Sequence, residues 1–405
     1  MTDRMDGVRV LIYSHDTFGL GHLRRCRTIA HALVEKYKGL SVLILSGSPI
    51  IGSFDFRARV DFVRIPGVIK LYNGEYTSLG LHIDLSQTMA IRASIIRHTA
   101  EMFAPNLFIV DKEPLGLKGE LQETLSIMKA RGTTLVLGLR DVMDEPTLLR
   151  REWKSRNLLP VLKEIYDEIW VYGHDKFWDP LAEMDVPASV REKMIYTGYL
   201  RRTVPQATKL PPVVDLEQPY LLVTAGGGGD GDQMIDWVLR AYETGAKLMR
   251  AVLVLGPFMR PEMQAEVHER VASLDAVEVL TFDSHLELLM EKAAGVVAMG
   301  GYNTFCEILS LDKPALIMPR VAPRKEQLVR AQRASELGVA HMFVPSDTVG
   351  IEGFVIALRA LPHQPKPSSA MLPGFMDGVE NVGRLAGRHF HPNVDRQLSL
   401  VDTGG

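Results

Sequence analysis

One stretch of this 405-residue chain, MGGYNTFCEILSLDKPALIMPRVAPRKEQLVRA, holds the side chains with the clearest chemical potential. Gly300 and Gly301 precede a predicted helix, and Asn303 or Thr304 is the expected capping residue. Backbone N–H groups at such a helix start can bind a diphosphate without a metal ion. Glu307 follows one turn later, where its carboxylate can accept hydrogen bonds from two ribose hydroxyls. A lone glutamate there would more often be solvated, but the glycine turn beside it favours a nucleotide site.

The same stretch continues into a loop and a second helix start with further polar side chains. Glu326 and Gln327 can contact sugar hydroxyls. Arg320 or Arg324 can face a phosphate. For Arg324 and Lys325, a solvated basic loop is an equally good interpretation. Together with the glycine turn, these residues predict a site for a nucleoside diphosphate sugar.

A second glycine-rich turn, TAGGGGDGD, lies between a predicted strand and a predicted helix. Gly226, Gly227 and Gly228 are predicted to contribute to a backbone-amide cradle for phosphate oxygens. Four consecutive glycines cost conformational entropy, so a merely flexible loop is the weaker interpretation. The Asp-Gly-Asp that follows resembles a metal motif, but Asp230 or Asp232 is expected to cap the helix. No metal site is predicted.

A third turn, HDTFGLGHLRR, follows the first predicted strand. Its His22 falls in the first turn of a helix, whose positive end disfavours an imidazolium, so the ring is expected to be neutral and able to accept a proton. A histidine that only packs at a helix start is the alternative. Gly21 and Arg24 are placed on the acceptor or phosphate side. Asp111 and Glu113 follow another strand and are reserve bases, with ordinary loop acids as the alternative.

The elements that would position these turns alternate between short β-branched runs and longer helical patterns, which is typical of parallel α/β sheets. The pattern runs through residues 1–203, breaks at a proline-rich linker over 204–218 and restarts over 219–362. We therefore predict two Rossmann-like domains that face each other across a cleft, with ligands at the carboxyl ends of the strands. Residues 363–405 form a tail, for which a helix packing back on the cleft is one interpretation.

Composition narrows the class of protein further. A formal net charge of −3 gives no support for nucleic-acid binding. Two widely separated cysteines form no disulfide framework, so a cytoplasmic protein is expected. No window approaches the roughly 20 apolar residues of a membrane span. The apolar and aromatic segment 66–83 could contact a lipid-linked acceptor or the inner face of the plasma membrane as a peripheral contact, although ordinary loop packing is the favoured interpretation.

At these turns the sequence resembles the GT-B glycosyltransferases of family 28, over nearly the whole chain. The pattern Gly-Gly-x-x-Thr-x-x-Glu, then KPALIMP, then Glu-Gln carries the resemblance. Within this family, the sequence also resembles the enzymes that form lipid II by transferring N-acetylglucosamine. The resemblance implies that Glu307 binds the nucleotide ribose and that His22 lies at the acceptor side. It also implies that Glu326 and Gln327 contact the donor sugar.

The first turn departs from the lipid II-forming pattern, because GLGHLRR replaces GGTGGH. This form is similar to nucleotide-sugar hydrolases of the pseudaminic acid pathway and to spore-coat polysaccharide relatives. In such hydrolases the matching histidine activates water. Glu326 also stands where the lipid II-forming enzymes have glutamine, and Arg330 where they have asparagine, so the donor sugar does not carry over.

The favoured hypothesis is an inverting, metal-independent glycosyltransferase of the hexosyltransferase type. It would move a sugar from a nucleoside diphosphate sugar, with UDP-sugars preferred, to an acceptor hydroxyl in cell-surface glycan or glycolipid biosynthesis. No cofactor is expected beyond this substrate. A nucleotide-sugar hydrolase is the alternative, and a sugar 2-epimerase or a non-catalytic sugar-binding protein ranks lower. The base, the sugar, the acceptor and the oligomeric state do not follow from the sequence.

Overall fold

The computed structural model describes residues 3–16, 21–70, 75–204, 218–227, 230–256, 258–281, 286–346 and 349–390. Its strands are β1 (Asp3–Arg4), β2 (Arg9–Ser14), β3 (Tyr37–Lys38), β4 (Ser41–Ser46), β5 (Val60–Arg64), β6 (Val68–Lys70), β7 (Tyr76–Ser78), β8 (Leu107–Asp111), β9 (Thr134–Arg140), β10 (Glu168–Tyr172), β11 (Met194–Tyr196), β12 (Leu221–Thr224), β13 (Ala251–Val254), β14 (Val277–Leu280), β15 (Gly295–Ala298), β16 (Ala315–Ile317) and β17 (His341–Met342).

The α-helices alternate with these strands. They are α1 (Gly21–Lys36), α2 (Leu85–Phe103), α3 (Gln122–Ala130), α4 (Pro146–Ser155), α5 (Leu158–Glu164), α6 (Ala188–Arg191), α7 (Asp232–Glu243), α8 (Pro261–Val271), α9 (Leu286–Lys292), α10 (Tyr302–Ser310), α11 (Glu326–Glu336), α12 (Ile351–Ala360) and α13 (Gly378–Gly387).

Two parallel sheets organise the described residues. The first has the strand order β11-β10-β9-β8-β2-β4-β5, and the second has the order β14-β13-β12-β15-β16-β17. The central strands β8 and β12 are buried along their whole length, as expected for strands covered by helices on both faces. The α/β architecture with two parallel sheets, predicted from the alternating pattern, is therefore confirmed.

The two halves of the chain pack against each other through aromatic side chains. Phe177 lies 5.7 Å from Phe305, and Tyr199 lies 5.4 Å from Phe305, measured between ring centroids. Phe375, from the segment before α13, joins the same cluster with its ring 5.0 Å from that of Tyr199. Aromatic rings at such distances pack favourably, so this cluster fixes the first sheet against α10.

The C-terminal segment returns to the first half of the molecule. Helix α13 packs against α1, and Tyr37 donates a 2.9 Å hydrogen bond to the carbonyl of Gly383. Asn381 donates to the carbonyl of Thr197 at 2.8 Å. The predicted linker lies, except at its ends, outside the described residues.

The predicted apolar insertion forms a short antiparallel pair, β6 with β7, although residues 71–74 lie outside the described part. Leu79, Leu81 and Ile83 after this pair are 41%, 45% and 37% exposed, respectively. The insertion thus leaves apolar surface in contact with solvent, which is compatible with either interpretation offered for it.

Candidate active site

His22, the predicted base, is held by two side chains from its own domain. It is the second residue of α1, and Asp111 ends β8, the strand that pairs with β2 directly before α1. Nδ1 of His22 lies 2.5 Å from Oδ2 of Asp111. Arg25 donates to both carboxylate oxygens of Asp111 at 2.8 Å. Because a carboxylate only accepts, Nδ1 carries the ring proton, and Nε2 is left with its lone pair for a substrate.

Burial and charge keep this histidine neutral. Burial lowers the pKa of His22 to about 4, with Asp111 opposing the shift and Arg25 adding to it. Burial alone would raise the pKa of Asp111, but Arg25 and His22 hold it well below its ordinary value. His15 packs edge-on against His22 with ring centroids 5.6 Å apart, and burial holds its pKa well below the usual range. A neutral ring next to an ionised acid is the arrangement of a general base.

Asp111 was expected to be a reserve base, but its contacts indicate a different role, that of a residue which orients His22. The side chain is buried and bonded to both His22 and Arg25, so no face remains to take a proton from a substrate. It orients the imidazole instead. The sequence held one usable signal, an acid at the end of the strand beside the one that leads to His22, but it did not identify Arg25 as the second partner.

Asp16, which the sequence analysis did not select, fixes the start of α1. Its Oδ1 accepts a 3.2 Å hydrogen bond from the backbone N–H of Leu23, and its Oδ2 accepts a 2.5 Å bond from the hydroxyl of Ser46. Burial raises the pKa of Asp16 to about 6, while the bond from Ser46 opposes this shift. These contacts anchor the helix turn that carries His22.

The turn before α10 has the backbone predicted for a phosphate site. Gly300 adopts φ 76°, and an added Cβ would lie 2.7 Å from Cγ2 of Ile317, so only glycine fits. Gly301 directly precedes the helix, and no side chain caps it. The expectation that Asn303 or Thr304 caps α10 is therefore wrong, because the helix begins one residue before Asn303. Its first N–H groups remain available for a ligand.

The other glycine turn lies against this helix start. Gly226 has φ 72°, and a Cβ added there would be 3.8 Å from Oγ1 of Thr304. Gly227 is described and half-buried, whereas Gly228 lies outside the described residues. Helix α7 begins at Asp232 with no side-chain cap, so the predicted capping role of this aspartate is wrong. Two glycine bends thus face one helix N-terminus.

Glu307, predicted to hold the ribose, is fully buried and lies beside an arginine of the first domain. Nη2 of Arg24 is 2.7 Å from Oε1 of Glu307 and 2.6 Å from Oε1 of Glu287. Arg24 therefore satisfies Oε1 of Glu307, whereas Oε2 is buried without a hydrogen-bond donor. Burial raises the pKa of Glu307 to about 7, Arg24 opposes the shift, and Glu287 adds to it. Two predicted residues, Arg24 and Glu307, are therefore in contact.

The predicted sugar-contacting pair forms a cluster with Arg320. Nη2 of Arg320 donates to Oε1 of Glu326 at 2.5 Å, and the backbone N–H of Arg320 donates to Oε1 of Gln327 at 3.0 Å. Arg320 also pairs with Asp230, so its guanidinium is bound to two acids rather than free for phosphate. The second oxygen of Glu326, Oε2, is buried without a partner.

Asn303 on α10 joins the two domains at this site through its side-chain amide. Asn303 donates from its amide to the carbonyl of Gly21 at 3.0 Å and accepts from Arg202 at 2.8 Å. Both groups of the Asn303 amide are therefore used in holding α10 against the start of α1. Gly21, predicted for the acceptor side, contacts the predicted donor helix.

Arg330 makes the most deeply buried cross-domain contact. It donates from Nε and Nη2 to the two carboxylate oxygens of Asp141 at 2.8 Å and 2.7 Å, and from Nη1 to the carbonyl of Gly300 at 3.0 Å. The hydroxyl of Tyr199 donates to the same carboxylate at 2.8 Å. This pairing could not be predicted from local patterns, because its members lie 189 residues apart in the chain.

Neither a membrane span nor a metal cluster is found where the chain is described. No helix in that part is both long and apolar enough to cross a bilayer. Over the same residues, no three side chains of His, Cys, Asp or Glu converge in a way that could hold a metal ion.

Comparison with known proteins finds similarity to glycosyltransferases. Residues 227–371 match the glycosyltransferase family 28 C-terminal domain. A curated relative from Methylorubrum extorquens (strain PA1), UDP-N-acetylglucosamine–N-acetylmuramyl-(pentapeptide) pyrophosphoryl-undecaprenol N-acetylglucosamine transferase, is 29% identical over 160 residues. That match covers 38% of this chain and only 43% of the relative's length.

Solved structures resemble nearly the entire chain. MurG of Acinetobacter baumannii superimposes with a TM-score of 0.58 at 12% identity, covering 94% of this chain and 99% of that one. A UDP-glucosyltransferase from Polygonum tinctorium superimposes with a TM-score of 0.62 at 14% identity, covering 95% and 98%. The GT-B fold predicted from the sequence is confirmed, as is the family 28 resemblance over residues 227–371.

Proposed function

We propose that this chain is an inverting glycosyltransferase that moves a sugar from a nucleoside diphosphate sugar, with UDP-sugars preferred, to an acceptor hydroxyl without a metal ion. The observation that carries the proposal is the neutral His22, oriented by Asp111, at a helix start that touches the start of α10. The proposed base and the proposed diphosphate site would therefore adjoin across the domain boundary.

On the donor side, the described glycines Gly226 and Gly227, together with Gly300, Gly301 and the start of α10 beside Thr304, would bind the diphosphate through backbone N–H groups. The free Oε2 of Glu307, with Oε1 once Arg24 is displaced, suits the two hydroxyls of a ribose, and the free Oε2 of Glu326 suits a sugar hydroxyl. A buried acceptor without a donor is costly, so a ligand that supplies hydroxyls is favoured at both acids.

This donor position requires a rearrangement of Arg24. The arginine contacts both Glu307 and Glu287, so it can remain on Glu287 when a ribose occupies Glu307. The contact between Arg24 and Glu307 joins the two domains, and binding of the nucleotide would displace it. Arg24 and His22 both lie on α1, so donor binding is coupled to the position of the proposed base.

In the reaction, Nε2 of His22 accepts the proton of the acceptor hydroxyl as the oxygen attacks the anomeric carbon. The bond from that carbon to the diphosphate oxygen breaks, and the electron pair leaves with the nucleoside diphosphate. Backbone dipoles at the start of α10 stabilise the negative charge that develops on the leaving group. A single displacement from the opposite face inverts the anomeric configuration.

For the acceptor, we propose a lipid-linked or other cell-surface saccharide. The curated relative acts on a pyrophosphoryl-undecaprenol substrate by its name. The exposed Leu79, Leu81 and Ile83 after β7 offer apolar surface in the acceptor domain for such a substrate or for peripheral contact with a membrane.

A thermal-shift panel of UDP, GDP and TDP and their sugars tests the donor proposal, because selective binding raises the melting temperature by mass action. We expect a shift with UDP compounds and little shift with the others. No shift with any nucleotide would contradict the proposal. A parallel incubation of a UDP-sugar without acceptor measures free-sugar release, and rapid stoichiometric release would assign the protein as a hydrolase instead.

A further inference from the structure

Arg140 ends β9 at the domain boundary, and it forms no ion pair with another described residue. Its side chain is half-buried, and its Nε is shielded from water with no acceptor. In the described part of the chain, no hydrogen bond or ion pair engages its guanidinium. Two acids at the same edge of the sheet are already bound at both oxygens, Asp111 by Arg25 and Asp141 by Arg330. A guanidinium left unpaired in this way is costly unless a ligand completes it.

A second cation lies at the end of the neighbouring strand. Lys112 directly follows β8, and its backbone N–H donates to the carbonyl of Gly138 in β9 at 2.8 Å. Its Nζ is 3.6 Å from Oε1 of Glu113, while the other oxygen of that acid takes a 2.6 Å bond from Arg156. Lys112 therefore has only a distant and shared counterion.

The charges around these two cations repel each other. Burial lowers the pKa of Lys112; Glu113 opposes the shift, and Arg140 adds to it. Burial lowers the pKa of Arg140 to about 10, with Arg25 adding to the shift. Among the groups that face Arg140, Arg330 also lowers its pKa, while Glu326 and Asp141 raise it. The fold thus keeps like charges together at the edge of the sheet where the base lies.

The position of Arg140 relates it to the transferred sugar. Its strand pairs with β8, whose last residue orients His22. The next residue, Asp141, binds Arg330, and Glu326 lies one turn before Arg330 on the same face of α11. Arg140 therefore lies between the proposed base and the proposed sugar-contacting acid. Glu326 is the acid whose charge acts most strongly on Arg140, but no ion pair joins the two: one carboxylate oxygen is bonded to Arg320, and the other has no hydrogen-bond partner.

We propose that Arg140, assisted by Lys112, binds an anionic group of a substrate, a carboxylate or a phosphate, next to the transferred sugar. A guanidinium binds such groups through paired N–H bonds, which suits a planar carboxylate or a phosphate. The inference rests on the proposed glycosyltransferase function and specifies its substrate class. The anion belongs either to the donor sugar, as in a uronic acid, or to the acceptor saccharide.

Calorimetric titrations with two arms separate these sources. The donor arm compares UDP-glucuronic acid with UDP-glucose. The acceptor arm, at saturating UDP, compares glucuronic acid and glucose 6-phosphate with glucose. We expect the wild-type protein to bind the anionic probe about 10-fold more tightly than its neutral counterpart in one arm, as a charged hydrogen bond predicts. Arg140→Gln should abolish the preference, Arg140→Lys should retain part of it, and Arg97→Gln, at an exposed arginine paired with Glu123, should leave it unchanged.

A stability measurement separates a binding role from a structural one. Replacing Arg140 breaks no ion pair, and Glu326 keeps its bond from Arg320, so Arg140→Gln should melt close to the wild-type temperature without ligand. Arg330→Gln strands the buried Asp141 and should melt about 5 °C or more lower. An Arg140→Gln protein that melts as low as Arg330→Gln would overturn the proposal.

Two binding outcomes would also overturn it. One is the absence of any anionic preference in both arms, and the other is a preference that persists in both Arg140→Gln and Lys112→Met. A wild-type protein that does not bind UDP at all would instead contradict the proposed function. Titrating the anionic sugars without UDP keeps these two failures distinct.

Discussion

The acid–base group of the first domain and the acids of the second domain differ in how far the protein itself satisfies them. Asp111 has bonds to both oxygens, from His22 and Arg25. Glu307 and Glu326 are buried acids that retain oxygens without hydrogen-bond donors. The contrast indicates that the protein itself supplies every partner of the proposed base, whereas the proposed donor acids keep oxygens that the hydroxyls of a ligand could satisfy.

The largest expected effect comes from removing the proposed base. His22→Gln should lower turnover about 10²- to 10⁴-fold, the contribution typical of a general base. UDP release in the presence of acceptor measures this loss. UDP affinity serves as the control and should not change, because the donor acids remain. Turnover above one tenth of the wild-type value would remove His22 from this role.

The same base predicts a pH profile. Since the pKa of His22 is lowered to about 4, the ring stays neutral and active through mildly acidic pH. At saturating donor, turnover should therefore be level above pH 5 and fall only as the pH drops through about 4. A rising limb near pH 6.5, the ordinary histidine value, would show that the ring is not held as the structure describes.

The next effect tests whether Glu307 awaits a ribose. Glu307→Gln should weaken UDP binding about 10-fold, because a charge-assisted acceptor is lost. The pKa of Glu307 is raised to about 7, so the wild-type acid is neutral at low pH and its charged form is disfavoured in the folded state. Its contribution to stability is present below the ordinary value near 4.5 and is lost as the pH rises through about 7.

The raised pKa of Glu307 predicts how both stability and UDP affinity change with pH. Relative to the wild-type protein, Glu307→Gln should gain about 2 kcal/mol of unfolding free energy between pH 5 and pH 8. Wild-type UDP affinity should increase as the pH rises through 7, and the variant should lack this dependence. Chemical denaturation and calorimetry at the two pH values measure these quantities, and unchanged UDP affinity in the variant would contradict the ribose assignment.

The smallest expected effect comes from replacing Arg24, which forms an ion pair with Glu307. Arg24→Ala removes the competitor of the ribose, so UDP should bind about 3- to 10-fold more tightly at pH 8, as expected for an ion pair of about 1 kcal/mol. Arg97→Ala provides a matched exposed control. Weaker UDP binding in Arg24→Ala would mean that this arginine contacts the donor directly, as the sequence analysis placed it on the phosphate side.

Local patterns in the sequence were sufficient for the fold and for the turns. Strands such as LFIVD, buried along their whole length, and the glycine at Gly300 are dictated by their neighbours in the chain and by backbone geometry. The partners of the site residues were not accessible in this way. His22 and Asp111 are 89 residues apart, and the Arg24 to Glu307 contact crosses from one domain to the other. Such pairs depend on strand order and domain closure, which a single sequence does not specify.

The return of the chain to the first domain has a mechanical consequence. Leu200 and Asp377 form an isolated bridge, and the backbone N–H of Tyr199 donates to the carbonyl of Phe375 at 2.7 Å, so the outgoing and incoming strands of the connection run side by side. Because two neighbouring segments connect the domains, we expect relative motion of the domains to be restricted to rotation about one axis through these segments. Each opening should therefore bring the two lobes back to the same alignment.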